Sequence, residues 1–318
     1  MENKKQALII VVGPTASGKT DLAVKLAKAL ETEVISADSR YFYKGLNIGT
    51  AKPTKSEMQG VTHHLIDCTT VDNPWSLGEF RTHALKLIKE INSKGKIPIL
   101  VGGTGQYIRA ITKNWNVPTI EADEGLRITL ENWAKLIGKK ELWNKLKIVD
   151  PEAAKKIDFR NLRRTVRALE VILKTGKRFS GLRNFSDNPL NSLTLGISWP
   201  RDLLYKRVDF RIDQMIKQGL VAEVNDLVSQ GWDELLRRIG IIGYTEIIDY
   251  LEGKLTLEQA VKLIRKNTRV FIRTQSNWFK ADDPNIYWLD GKDPALLVKA
   301  LDLTKNYFAN QGIILGMP

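Results

Sequence analysis

The chain has 318 residues, 43% of them hydrophobic, enough for a sizeable core in one large domain or two modest ones. Its 49 lysines and arginines exceed its 36 acidic residues, a formal charge of +13 with a pI near 9.6, which points to a polyanionic partner and first of all to nucleic acid. A single cysteine, Cys68, and three histidines exclude a disulfide scaffold and a Cys/His zinc site, and no apolar run approaches the ~18 residues that cross a bilayer.

The first apolar run, Ala7-Leu8-Ile9-Ile10-Val11-Val12, reads as a buried strand. Lys4 and Lys5 before it give the outline of a secretory leader, but the run is short and passes into a glycine loop without a cleavage site, so a cytoplasmic protein is expected. That loop, Gly13-Pro14-Thr15-Ala16-Ser17-Gly18-Lys19-Thr20, fits the phosphate-loop pattern G-x-x-x-x-G-K-[ST] at every fixed position and leads into a helix marked by Leu22, Leu26 and Leu30. Its backbone N–H groups and the helix N-terminus suit a di- or triphosphate, Lys19 adds a point charge, and the Thr20 hydroxyl can reach Mg²⁺.

A second strand over Glu33 to Asp38 ends in a carboxylate, and ligands of open α/β sheets bind beyond such strand ends, so Asp38 is expected near the loop. Residues 45–53 form a turn-rich loop, and Thr62 to Asp67 a short strand or turn. His63 and His64 are adjacent, point apart on a strand and lack a third ligand at useful spacing, which favours structural roles over a metal site. A helix follows over Ser76 to Ile91, then a buried strand over Ile97 to Val101. It ends in Gly102-Gly103-Thr104-Gly105, where a hydrolase or motor of this type carries an Mg²⁺-holding aspartate. A plain turn into the helix of Tyr107, Ile108 and Ile111 is the other reading of these glycines.

From Trp115 to about Asn188 the pattern turns helical and charged, with helices expected at 124–136, 139–145, 151–157 and 162–175, the last ended by Gly176. Residues 155–178 hold nine basic side chains against Asp158 and Glu170, a net of +7, and Arg163, Arg164 and Arg167 share a helix face suited to a phosphate backbone. A strand over Leu193 to Trp199 returns to the sheet, and helices follow at 202–217, with Arg207 and Arg211 one turn apart, and at 222–230, 246–251 and 257–280. Six basic residues and no acidic one lie between Lys262 and Lys280, interleaved with Phe271, Trp278 and Phe279, as in nucleic-acid-binding helices or on a helix with an aromatic core face. A strand at 285–289 and a helix at 294–308 close the chain. The whole predicts an α/β protein, a P-loop NTPase-like parallel sheet flanked by helices from residues 1–114 and 189–318, with a mainly helical, basic insertion domain at 115–188.

These motifs resemble, in order and nearly end to end, the tRNA dimethylallyltransferases, which attach an isoprenoid to the adenine beside the anticodon. The likeness runs through Gly13 to Thr20, Ile35 to Arg40, Asn47 to Pro53, His63 to Asp67, Val101 to Gly105, Arg167 to Val171 with Thr175-Gly176, Ile242-Gly243-Tyr244, and Thr268-Arg269 with Gln275, Trp278 and Phe279. It implies dimethylallyl diphosphate as donor and adenine 37 in the anticodon stem-loop of tRNAs carrying A36-A37-A38 as acceptor. It also implies Mg²⁺, no membrane and no obligate protein partner, hence a monomer. By the family's motifs Asp38 is the base, Lys19 and Arg211 face the leaving diphosphate in its cradle Gly13 to Thr20, and Thr104 contacts the substrate adenosine. RNA contacts are implied at Asp38, Ser39, Arg40, Tyr41, Thr104, Arg127, Arg163, Arg164, Arg167, Arg269, Arg273 and Gln275. Tyr41 stands where the family carries a glutamine, Thr245 where it carries a lysine and Thr274 where it is basic, which bears on RNA preference and not on the chemistry. The competing readings are an adenylate dimethylallyltransferase, which needs no extended cationic surface, a P-loop small-molecule kinase, which needs ATP turnover, and a non-catalytic RNA-binding protein.

Overall fold

The computed structural model describes residues 5–115, 123–182 and 190–313, which form two compact units. Residues 5–76, 80–112 and 190–313 make the first, residues 77–79, 113–115 and 123–182 the second. In chain order the elements are β1 (Gln6–Val12), α1 (Lys19–Ala29), β2 (Val34–Ser36), α2 (Lys55–Met58), β3 (His63–His64), α3 (Leu77–Ser93), β4 (Ile99–Gly102) and α4 (Gly105–Thr112). Then come α5 (Glu124–Ile137), α6 (Lys139–Val149), α7 (Pro151–Lys156), α8 (Leu162–Thr175), a 3₁₀ turn (Ser180–Leu182) and β5 (Leu190–Ser198). The chain closes with α9 (Arg201–Lys217), α10 (Leu220–Ser229), α11 (Asp233–Ile239), α12 (Tyr244–Leu251), α13 (Leu257–Trp278), β6 (Tyr287–Asp290) and α14 (Leu296–Ala309).

The first unit is built on a six-stranded, wholly parallel sheet in the order β3-β2-β4-β1-β5-β6. A central parallel strand has helices on both faces, which is why β1 reads as a continuous apolar run: Leu8 to Val12 are all fully buried. Its partner β5 begins three residues earlier than the apolar pattern of 193–199 predicts, because β1 is paired along its whole length, Gln6 with Leu190 through Val12 with Gly196. The chain leaves β1 toward one sheet edge and, after β4, returns on the other side of β1, so the carboxyl ends of β1 and β4 border the switch point where such sheets bind ligands. A second core in this unit gathers Leu204, Val208 and Ile212 of α9 with Tyr244, Ile247, Ile264 and Ile272 of α12 and α13.

Two helices go beyond the sequence reading. α2 is one turn held by a capping box of Thr54 and Glu57, and α11 carries Asp233 and Glu234 in its first turn and Arg237 and Arg238 in its last, complementing the helix dipole. The second unit packs Leu130, Leu142, Leu146, Ile157, Val166 and Leu169 into a core of its own. Asp150 is fully buried there and accepts from Ala153 N–H, Ser180 N–H and the Ser180 hydroxyl.

Candidate active site

The loop after β1 is tied down by side chains from distant parts of the first unit. Thr15 N–H donates to Gln275 Oε1 (2.9 Å), Arg207 Nε donates to the Ala16 carbonyl (2.9 Å), and Trp199 Nε1 donates to the Ser17 carbonyl (2.9 Å). Arg207 also lies 4.3 Å over the Trp199 ring, so the two fasteners brace each other. Lys19, the first residue of α1, reaches back to the Pro14 carbonyl (3.2 Å). Burial pulls its ammonium from the ordinary lysine value to about 8; the Asp38 carboxylate opposes that fall and the Arg211 guanidinium adds to it. The loop, Asp38 and Arg211 therefore share one electrostatic neighbourhood.

Asp38 lies two residues beyond the end of β2, beside β4. The Ala37 N–H donates to the Val101 carbonyl (2.7 Å), and a Cβ on Gly102 would come within 2.5 Å of the Ala37 carbonyl oxygen, so only glycine lets the two strand ends run this close. One carboxylate oxygen of Asp38, Oδ1, accepts from Arg40 N–H (3.0 Å), which ties the side chain to the turn after β2. Lys19 and Thr20 line a small cavity together with Asp38, Tyr41, Ile66 and Val101. Ser36, Pro53, His63 and Gly102 complete the lining, so an ammonium, a carboxylate and hydroxyls share the cavity with the apolar side chains of Pro53, Ile66 and Val101.

Pro53 at the end of the loop of residues 47–53 lines this cavity, and Glu223 of α10 holds the start of that loop. Its carboxylate accepts from the N–H groups of Asn47 (3.1 Å), Ile48 (2.8 Å) and Gly49 (3.1 Å) and from the Tyr244 hydroxyl (2.6 Å). Ala51 in that loop receives two donors at its carbonyl, the Tyr41 hydroxyl (2.9 Å) and Arg211 Nη2 (3.2 Å). Burial pushes the Tyr41 phenol up to about 12, so it stays neutral and donating across ordinary pH. Tyr41, in the place of a glutamine, therefore helps fix the carbonyl on which Arg211 rests. The sequence carries no sign of Glu223, because the carboxylate lies about 175 residues from the amides it binds.

The two histidines after this loop are engaged locally. His63 Nδ1 bonds the Val61 carbonyl (2.9 Å), and His64 Nε2 bonds Glu33 Oε2 (2.6 Å), an interaction that holds the Glu33 carboxyl below the usual range. Among the described residues no group of three or more His, Cys, Asp or Glu side chains could hold a metal.

Of the residues expected on RNA, the structure divides them by partner. In the second unit Arg163 and Arg164 are exposed on α8, but Arg127 and Arg167 converge on Glu170, whose side chain is fully buried. Arg127 Nε bonds both Glu170 oxygens (3.1 and 3.0 Å), Arg167 Nη1 bonds one (2.7 Å), and Asp123 N–H adds a fourth contact (2.8 Å). Burial pushes the Glu170 carboxyl up, but the Asp123 N–H and the arginines together hold it below its ordinary value. The face of Arg163, Arg164 and Arg167 is therefore interrupted: the third arginine balances a buried carboxylate three residues on. In the first unit Arg269 pairs with Asp209 (2.5 Å) and Arg265 with Asp213 (2.5 Å), while Lys262, Lys266 and Arg273 are exposed along a groove of about 740 Å³ beside α13. Gln275 is only 4% exposed and bonds the phosphate loop and the Gly103 carbonyl (3.1 Å), so it faces the interior. Arg40 reaches the Ile239 carbonyl at 3.5 Å, and Ser39 and Thr104 are half-buried.

With this geometry established, comparison with known sequences is decisive: the sequence model described as IPP transferase matches residues 41–282. The chain belongs to the IPP transferase family. It is 42% identical over 311 residues to the tRNA dimethylallyltransferase of Acetivibrio thermocellus, an alignment that covers 97% of this chain and 99% of the relative. Among solved structures it is similar to the tRNA isopentenylpyrophosphate transferase of Bacillus halodurans, with TM-score 0.70, 37% identity and coverage of 97% and 98% of the two chains. It is also similar to a eukaryotic dimethylallyltransferase solved acting on tRNA, with TM-score 0.81 and 26% identity over 96% of this chain and 80% of that one. The parallel sheet with flanking helices is thus the architecture of the IPP transferase family, and no helix among the described residues is long and apolar enough to cross a membrane.

Proposed function

We propose that this chain is a tRNA dimethylallyltransferase that moves the dimethylallyl group of dimethylallyl diphosphate to N6 of adenine 37 in tRNAs carrying A36-A37-A38, releasing diphosphate. The observation that carries this reading is the pairing, in one cavity, of Lys19 and Thr20 of the phosphate-loop motif with the Asp38 carboxylate, at a strand end where β4 delivers Gly102, Gly103 and Thr104 in place of a metal-holding aspartate. A phosphate loop alone fits any nucleotide enzyme. The side chains of Pro53, Ile66 and Val101 in the cavity lining fit an isoprenoid, and a carboxylate beside the loop fits deprotonation of an amine.

In this reading the allylic C1–O bond breaks while the C1–N6 bond forms. The electron pair of the broken bond leaves on diphosphate, where the loop N–H groups, Lys19 and Arg211 meet charge that grows toward the transition state. The exocyclic amine of adenine is a weak nucleophile because its lone pair is delocalised into the ring, and the proton it sheds passes to Asp38. Thr104 faces the adenosine. Thr20 would hold a magnesium ion by its hydroxyl on the first turn of α1, where it lines the cavity beside Lys19, and the ion would supply positive charge to the leaving diphosphate. The target base must be drawn out of the anticodon-loop stack at a cost of about a few kcal/mol, which contacts to the RNA backbone offset. The exposed cations of α8 and the groove beside α13 are suited to those contacts, and the enzyme acts in the cytoplasm as a monomer.

Transfer of label from radiolabelled dimethylallyl diphosphate with Mg²⁺ tests the proposal, offered to a tRNA with A36-A37-A38, the same tRNA with A37 changed to G, and free AMP. Label in the first acceptor alone is the expected result. Label in AMP overturns the RNA acceptor in favour of a free nucleotide, and label in none of them, with ATP turnover instead, overturns the prenyl-transfer reading. For RNA binding, the double change Arg163→Ala with Arg164→Ala is expected to weaken tRNA affinity and to shrink the slope of log K against log salt by about 1 to 2, measured by filter binding across a salt series. An unchanged slope places the RNA away from this face of α8.

A further inference from the structure

We infer that Gln275 is a positioning residue for the diphosphate cradle, and not an RNA contact. A side-chain amide has one acceptor atom and one donor group, and in the interior both need partners. Gln275 Oε1 takes the Thr15 N–H of the phosphate loop (2.9 Å), and Nε2 donates to the Gly103 carbonyl at the end of β4 (3.1 Å). The partners admit only one orientation of the amide, because an N–H demands an acceptor and a carbonyl demands a donor. At 4% exposure neither atom is available to a base or a phosphate outside.

The surroundings are shaped for this bridge. A Cβ on Gly103 would come within 2.3 Å of Gln275 Nε2, so the glycine is what lets the amide reach the strand end. One turn further along α13, the Trp278 carbonyl accepts from Arg109 Nη2 of α4 (3.0 Å), and the Arg109 guanidinium lies 5.1 Å from the Trp278 ring centre. The C-terminal part of α13 is thereby docked on the turn that carries Thr104. Gln275 fixes the spacing between that turn and the third residue of the phosphate loop, so a single side chain registers the donor cradle against Thr104. This rests on the proposed role of the loop as the diphosphate site.

Gln275→Met keeps the side-chain length and most of its volume while removing both bonds, and Gly103→Ala attacks the bridge from its other end. With the purified full chain, inorganic pyrophosphate with Mg²⁺ is titrated calorimetrically, tRNA binding is read by anisotropy, and KM for the donor and kcat are taken from the label-transfer assay. Both variants are expected to raise the pyrophosphate Kd and the donor KM about tenfold, the scale of one or two lost hydrogen bonds, while tRNA affinity stays within about twofold and kcat falls less than KM rises. A loss of tRNA affinity with pyrophosphate binding intact would make Gln275 an RNA contact and overturn the inference. Unchanged pyrophosphate binding in both variants, or a Gln275→Met protein that loses both ligands and its melting temperature together, overturns it as well. Failure of the unmodified protein to bind pyrophosphate overturns instead the reading of the loop itself, which keeps the two failures apart.

Discussion

Lys19→Ala is expected to lower the rate of label transfer by about 10² to 10³-fold, the usual loss when one preorganised donor to a developing charge is removed. The Lys19 side chain is half-buried at the start of α1, where water screens it less than at the open surface, and its partner in the reaction gains negative charge as the C–O bond stretches. The same burial carries a pH signature. Burial brings the Lys19 ammonium down to about 8, with Asp38 and Arg211 the charged groups that face it. Below that pH the free enzyme holds the cation; above it the cation is lost, so kcat/KM for the donor falls as pH rises through about 8. Lys19→Arg keeps a charge that does not titrate in this range and removes the alkaline limb, at a lower plateau because a guanidinium fits the loop less well. A variant Lys19→Ala with near-normal turnover would remove Lys19 from the chemistry, whereas a wild-type profile flat across the alkaline range would show that the ammonium holds its proton to higher pH.

Asp38→Asn is expected to cost about 10² to 10⁴-fold in kcat, the range for loss of a general base, with KM for donor and tRNA little changed. The substitution is informative because the asparagine side-chain oxygen can still accept the Arg40 N–H that orients Asp38. The strand end and the lining of the cavity keep their shape while the proton acceptor disappears. Single-turnover transfer with saturating tRNA is the measurement. A rate within a few fold of wild type would assign the proton to another group and leave Asp38 as a structural residue of the turn after β2.

The parallel sheet and the phosphate loop were legible in the sequence for plain physical reasons. A central parallel strand is buried on both faces, so β1 stands out as an uninterrupted apolar run, and the fixed positions of the loop are set by local backbone needs that permit few residues. The C-cap of α8 at Gly176 followed from the same local logic. What the sequence hid was every contact that depends on distant chain. Gln275 lies in a basic, aromatic-bearing stretch and reads as surface, yet its amide is inside, and periodicity alone cannot tell which polar side chain of such a helix turns inward. Glu223 offers no local pattern at all, and Trp199 and Arg207 look like ordinary residues around the start of α9. Arg167 was the partial case. Its neighbour Glu170 sits one helical turn away and was counted only as a reduction of net charge, whereas its burial makes it the centre of a four-contact knot.

The fasteners of the phosphate loop also dictate when the site can form during synthesis. The loop is translated within the first 20 residues, but Trp199, Arg207 and Gln275 follow it by 182, 191 and 260 positions. At elongation rates of roughly 5 to 20 residues per second, the nascent chain carries an unfastened loop for tens of seconds. Such separations also raise the entropy that must be lost before the last contacts close, which places the cradle among the late events of folding. A chain cut short before α13 retains every residue of the phosphate-loop motif and lacks the amide that sets it against β4, so possession of the motif and possession of the site are different properties of this protein.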